Sequence, residues 1–236
     1  SNSAGANGAS IASTGSVNAT AGFSIISYTG SGSNATVAHG LGSVPKMIIV
    51  KSRSGAVNWQ VYHSSIANTE ALELNGSGGK YTAANRWNST STTSSVFSIG
   101  TSTETNASSA TFIAYCFAEK QGYSKFGSYT GNGNANGPFI YTGFKPAFTL
   151  IKKSSADGSW WEMVDNKRSP SNVMDNTLYA NVYNTEFESS AYNRDFLSNG
   201  FKLRNTNAGD NTSGATYIYM AFAENPFVTS TGVPAT

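Results

Sequence analysis

The side chains able to do chemistry in this 236-residue chain are few and unevenly placed. Glycoside hydrolysis needs two carboxylates facing each other across roughly 5–10 Å. The first half offers Glu70, Glu73, Glu104 and Glu119; the second holds Asp157, Glu162, Asp165, Asp175, Glu186, Glu188, Asp195, Asp210 and Glu224. No carboxylate pair recurs, so solvated surface is the expected fate of this acid, ahead of a hydrolytic cleft or a weak cation site. No catalytic residue is assigned. His39 in HGLG and His63 at the end of WQVYH are too few for a multi-histidine metal site within one chain, and without a G-x-S-x-G elbow they serve no nucleophile. Structural hydrogen bonding is their expected role. The one cysteine, Cys116, excludes an internal disulfide and sits mid-way along an apolar run, as a small buried hydrophobe would. Gly-rich strings at 30–34 and 131–137 have neither G-x-G-x-x-G spacing before a helix nor a Walker lysine, so they read as hairpin turns. Neither cofactor nor metal is expected. What remains is recognition chemistry. Aromatic faces stack on the apolar side of a sugar ring, while Arg and Asn bond its hydroxyls. Tyr81, Asn85, Arg86 and Trp87 follow one long loop, and Tyr179, Tyr183, Tyr192 and Arg194 lie near another.

The elements that would position these residues are legible from composition. The chain holds 24 Gly, and its apolar content leans to β-branched and aromatic residues, which favours strands over helices. Self-comparison then finds an internal repeat. Ser27-Tyr28-Thr29-Gly30 recurs as Ser128-Tyr129-Thr130-Gly131, and at the same offset Pro45 falls on Pro146, Met47–Lys51 on Phe148–Lys152 and Trp59 on Trp160. Ala110–Glu119 matches Ala215–Glu224 four residues further on. The expected organisation is a Gly/Ser/Asn-rich linker or arm over 1–22, a β module over 23–122, a second over 123–228 and a tail over 229–236. Apolar runs bounded by Gly, Ser and Asn predict about seven short strands per module, the last longest and central, in an all-β chain of two tandem antiparallel β-sandwich-like modules. Trp59 and Trp160, in one slot of the repeat, are expected in the two cores; Trp87 and Trp161, without twins, are the better exposed contacts. Lys51 and Glu119, and likewise Lys152 and Glu224, end apolar strands and are expected to form charge pairs between neighbours.

Charged residues make up only 12%, and 15 basic against 13 acidic residues give +2, which implies neither a nucleic acid nor an anionic membrane as partner. No apolar run reaches the roughly 18 residues of a membrane span. The strings HGLGSVPKMIIVKSRSG, NWQVYH, AYCFAEKQGYSKFGSYTGNGNANGPFIYTGFKPAF, DFLSNGFKLRN and TYIYMAFAENPF resemble a duplicated module at the C-terminal ends of bacteriophage structural proteins, especially tail and tail-fibre proteins of marine phages. The resemblance runs from about Ala21 to the end of the chain. It implies a virion surface component that contacts the host through a glycan or surface protein, built as a homo-oligomer on the homotrimeric pattern of phage fibres. A purely structural head-decoration or fibre element is the second expectation, and a polysaccharide-degrading tailspike the third. The Ser-rich opening reads as a piece downstream in a longer polypeptide or as a processed product.

Overall fold

The computed structural model describes residues 1–226. The expected tail 229–236 and the last two residues of the second module lie outside the described residues. Strands dominate, and the chain divides into two compact units: Ser1–Leu74 with Lys80–Glu119, and Asn75–Gly79 with the chain from Lys120 onward.

In the first unit the strands are β1 (Ser13–Asn18), β2 (Phe23–Thr29), β3 (Ala35–Ala38), β4 (Pro45–Ser52), β5 (Gln60–His63), β6 (Glu70–Glu73), β7 (Tyr81–Thr82), β8 (Val96–Ile99) and β9 (Thr111–Ala118), with one helical turn, α1 (Thr103–Asn106). The larger sheet runs β1-β2-β9-β4-β5-β6-β7, and β3 pairs with β8 in a small second layer. β9 alternates half-buried and buried along all eight residues, the period-two signature of a strand with one face on the core. That face sends Phe112, Ala114, Cys116 and Ala118 against Val37, Phe97 and Ile99 of the small layer, with Ile48, Val50 and Ile26 alongside. Burial lifts the Cys116 thiol to about 12, so it is a hydrophobe in practice.

The second unit contains β10 (Ser124–Thr130), β11 (Phe139–Tyr141), β12 (Pro146–Lys153), β13 (Glu162–Asp165), β14 (Asn176–Tyr179), β15 (Phe187–Glu188), β16 (Arg194–Leu197), β17 (Gly200–Leu203) and β18 (Thr216–Ala223). Its larger sheet runs β10-β18-β12-β13-β14-β15, and β11-β17-β16 forms the second layer. The order matches β2-β9-β4-β5-β6-β7 strand for strand, with the last long strand central in both, as expected. Local devices match too. A register shift follows Pro45 and Pro146 alike, where the ring removes a ladder donor. Tyr28 stacks on Phe112 at 5.3 Å and Tyr129 on Tyr217 at 5.1 Å. Tyr28 donates to the Thr105 carbonyl at 2.7 Å, and Tyr129 to that of Asp210 at 2.8 Å. Asn106 donates to the carbonyls of Ser33 and Gly100, and Asn211 to those of Asn134 and Asn205. Gly30 and Gly131 sit where a Cβ would come within 2.3 Å of Ala107 O and 2.4 Å of Thr212 O, so no larger residue fits without moving that backbone.

Three expectations need correction. The stretch 1–22 is not a linker throughout: β1 pairs with β2 over six residues, and Ala9 is 1% exposed. Its Ser, Thr and Gly content suppresses the apolar alternation by which strands are recognised, yet backbone pairing needs no side chain. Gly15 packs so close to Ile25 that a Cβ would meet its carbonyl oxygen at 2.1 Å. Each unit also holds nine strands among the described residues where about seven are expected, the short β7 and β15 and the charged β16 carrying no long apolar run. And the two repeated tryptophans are not structural twins. Gln60 pairs with Val50, and Glu162 with Ile151. Trp59 O accepts from Leu74 N as Trp161 O does from Ala180 N. Trp59 therefore corresponds to Trp161, and the turn before β13 carries one extra residue, which displaces Trp160.

Candidate functional site

In each unit the core-facing side of the strand after that turn begins with a polar side chain that meets an arginine. In the first unit this is Gln60. Its Nε2 donates to Glu104 Oε2 at 2.8 Å and Glu73 Oε1 at 3.4 Å, while its Oε1 accepts from Tyr81 OH at 3.0 Å and Arg86 Nε at 3.2 Å. Arg86 completes the cluster through Ser102 Oγ at 2.5 Å and an ion pair with Glu104, both partners remaining about one-fifth exposed. Ser102 also caps α1 by accepting from Glu104 N. Burial first, then the hydrogen bond to Glu73, raises the Tyr81 phenol, which stays a donor.

The second unit puts Glu162 where the first has Gln60, and seals the cluster. Arg194 Nη2 contacts Glu162 Oε2 at 2.8 Å and Asp210 Oδ2 at 3.1 Å, with all three side chains at most 1% exposed. Asn205 Nδ2 donates to Asp210 Oδ2 at 3.2 Å. Burial raises both carboxyls above their ordinary values, and for Glu162 the Asp210 charge adds to it while Arg194 opposes it. Burial disfavours the guanidinium charge, but the two carboxylates outweigh it and its pKa rises. Among the described residues Arg194 Nε and Nη1 and Asp210 Oδ1 have no hydrogen-bond partner, so the two acids share one nitrogen of one guanidinium. Nearby, Lys152 is buried and donates to the carbonyls of Ser77 and Ser159; burial lowers it to about 8.

What seals this cluster is aromatic. Tyr179 lies opposite Glu162 across β13 and β14. Trp160 packs on Tyr179 at 4.6 Å, Phe187 on Tyr179 at 5.4 Å, and Tyr192 on Phe187 at 5.1 Å and on Tyr179 at 6.3 Å. Trp160 remains 39% exposed, and Tyr183, on the loop between β14 and β15, is fully exposed. Tyr179 itself is 6% exposed, so it is Trp160, with the half-buried Phe187 and Tyr192, that brings this aromatic rim to solvent.

The predicted contact residues thus divide. Tyr81, Asn85 and Arg86 are brought together, Asn85 through its Oδ1, 3.3 Å from Arg86 Nη1. Trp87 is not a surface contact: it is 2% exposed in the first core, edge-on to Tyr62 at 5.8 Å. Tyr179, Tyr192 and Tyr183 fall on or beside one rim, but Arg194 lies beneath it, wholly buried. The expected core residues are corrected as well. Trp160 is the exposed one and Trp161 is 1% exposed, while Trp59 is half-buried, stacked on Tyr115 at 6.3 Å with Lys51 Nζ 5.9 Å from its ring. The charge pairs fail on register. Antiparallel pairing sets Lys51 opposite Ile113 and Lys152 opposite Ile218, at the far ends of these ladders from Glu119 and Glu224. Lys51 bonds the Val57 carbonyl instead, and Glu224 pairs with Lys145 at 2.7 Å. His39 is buried, with Thr93 O 3.1 Å from Nε2 and Leu41 N donating to Nδ1, the bonding of a neutral imidazole.

Among the described residues no group of three or more His, Cys, Asp and Glu could hold a metal ion, and no helix is long and apolar enough to cross a membrane. A hollow lined by Ala12, Ser13, Thr14, Ser27, Tyr28 and Thr29 offers hydroxyls only, and the Tyr28 hydroxyl is already committed to Thr105.

The sequence profile of a family described as a domain of unknown function (DUF7483) matches residues 1–226, and the chain belongs to that family. No curated protein and no solved structure matches it.

Proposed function

We propose that this member of a family without an assigned activity is a bacteriophage virion surface protein, the distal part of a tail fibre, which binds a host-surface glycan and is not an enzyme. The observation that carries the reading is an aromatic cluster in which exposed Trp160 and half-buried Phe187 and Tyr192 surround a buried Tyr179. A surface tryptophan packed on Tyr179, which Phe187 and Tyr192 hold in turn, offers a sugar a flat apolar face at little cost in side-chain ordering. The phage assignment draws its support from the motif resemblance, and the same resemblance suggests a homotrimer assembled with other virion proteins. Binding is preferred to hydrolysis because Glu162 and Asp210 are closed off from any substrate and share one guanidinium.

The test uses the full chain, labelled and incubated with the bacteria that the phage infects. Saturable binding is expected, competed by the extracted surface polysaccharide and weakened about tenfold or more in Trp160→Ala, a loss of about 1.4 kcal/mol. Equal binding by the variant would remove the rim from this reading. Absence of saturable binding would favour the purely structural head-decoration or fibre element.

A further inference from the structure

We infer that the ligand of this rim is an uncharged polysaccharide, an inference that rests on the rim being the binding face. The segments that build and border the rim are the turn 154–161, the stretch 176–193 and the loop 205–213. None of them contains a single Lys or Arg. Their ionisable acids are Asp157, Glu186, Glu188 and Asp210; only Asp210 is buried, and the other three are exposed. The cation that reaches Glu186, Arg168, does so at 3.7 Å and is already bonded to Asp165 through Nε and Nη2. Arg194 lies under the rim with no exposed surface. A polymer with a carboxylate on each or every other sugar would bring its charges within about a Debye length, ~10 Å at 0.1 M salt, of Glu188, of Glu186, which Arg168 only partly offsets, and of Asp157, whose cation, Lys152, is buried and bonded to carbonyls, with no Lys or Arg of these segments to meet them. Hydroxyls meet no such opposition. The exposed Asn184 and Thr185 beside Tyr183 supply amide and hydroxyl groups for them. The same charge pattern separates this face from nucleic acid and from anionic lipid, which need Lys and Arg at the surface.

The experiment measures retardation of the full chain in affinity gels and its binding to immobilised polymers. Dextran and mannan serve as neutral probes, alginate and hyaluronan as acidic ones, at 20 and 500 mM NaCl. The expected result is retention by at least one neutral polymer, changed less than twofold by salt and lost in Trp160→Ala at a melting temperature within about 4 °C of wild type. The double variant Glu186→Lys, Glu188→Lys should gain retention on alginate at 20 mM that disappears at 500 mM. Tighter binding of wild type to an acidic polymer, abolished in Trp160→Ala, would overturn the inference while leaving the rim as the binding face. Neutral-polymer binding that survives Trp160→Ala would overturn the rim itself. Failure of wild type to bind either neutral polymer would overturn the inference.

Discussion

Replacing Arg194 by Met tests the reading of the buried charge cluster. Arg194 makes the contacts at 2.8 and 3.1 Å that hold Glu162 and Asp210, in a site with no solvent exposure. Met fills a similar volume but leaves two acids without a counter-charge, and breaking a buried pair from one side costs about 3–5 kcal/mol. For a chain of this size roughly 2–4 °C of melting temperature is lost per kcal/mol, so a drop of about 10 °C is expected. The pH dependence supplies the control. Both folded carboxyls are raised above their unfolded values, to about 8 for Glu162 and about 6 for Asp210. The folded state therefore holds protons that the unfolded chain releases. The favourable term is fully present below the unfolded carboxyl range and is lost as pH rises through about 6 and then about 8. Wild type should melt progressively lower from pH 5 to about 8, less steeply once Asp210 ionises near 6, and level off above 8 once Glu162 has ionised in the folded state too. Glu162→Gln mimics the protonated acid, so it should melt within a few degrees of wild type at pH 6 and lack the fall that wild type shows between pH 6 and 8. Calorimetry of the three proteins from pH 5 to 9 decides it. If Arg194→Met melted like wild type, or if Glu162→Gln fell as far as Arg194→Met at pH 6, the cluster would not hold the unit together in the way argued.

Trp160→Ala should cost less than about 1 kcal/mol because the indole is partly exposed, whereas Trp161→Ala and Trp87→Ala remove fully buried rings at about 3–5 kcal/mol each; urea midpoints separate the two classes. Deleting residues 1–18 removes β1 and uncovers the outer edge of β2, so the truncated chain should melt lower and scatter more light on heating, while a linker would leave both unchanged. Cys116, buried with its thiol raised to about 12, should resist an aromatic disulfide reagent at pH 8 until denaturant is added, and fast labelling of the native chain would contradict its place in the core. His39 is held neutral by burial, its pKa lowered although the Thr93 carbonyl opposes the shift. An unfolded His binds a proton below about 6.5 where this one does not, so His39→Gln should lose less stability than wild type between pH 6.5 and 5 in parallel melts.

Much of the fold could be read from the sequence because the repeat doubles the signal. Two copies of a long apolar strand, each ending in Phe-Ala-Glu, announce a central strand even where flanking residues are poor strand formers. Strands whose pairing rests on backbone alone escaped: β1 is Ser-Thr-Gly-Ser-Val-Asn and carries no alternation to detect. The tryptophan pairing misled because a single offset was carried across a turn of different length. Trp-Gln at 59–60 and Trp-Glu at 161–162 align when one residue is inserted, and that dipeptide was the available clue. Arginine is usually a surface residue, so sequence alone points Arg194 outward; only contact with two acids distant in sequence puts it inside. The rim of the second unit was half legible, as tyrosines clustered near a long connection. Its keystone Trp160, which the repeat register sends to the core, is 39% exposed.

The divergence of the two clusters explains where the acid of the second half goes. In the first unit a neutral Gln60 links Glu104, Glu73, Tyr81 and Arg86, so each carboxylate can stay near water and the site remains open. Glu162 at the same position brings a second carboxyl to the arginine beside Asp210, and aromatic residues close over it. Glu73 gives way to Tyr179 at the facing strand position, since Gln60 pairs with Glu73 as Glu162 does with Tyr179. Asn58 gives way to Trp160 once Trp59 is matched to Trp161. These exchanges are linked physically. Acids that share one guanidinium away from water hold a proton, and so need a dry site to stay paired. Tyr179, opposite Glu162, is buried between that site and Trp160, Phe187 and Tyr192. The aromatic rim and the buried charges are therefore one construction, and changes to either should be felt in the other: Arg194→Met should loosen Tyr192, two residues away, and weaken the proposed glycan binding before the unit unfolds. Tyrosine fluorescence and polymer retention measured on the same sample below the melting transition would show it, and an unchanged rim in that variant would separate the two.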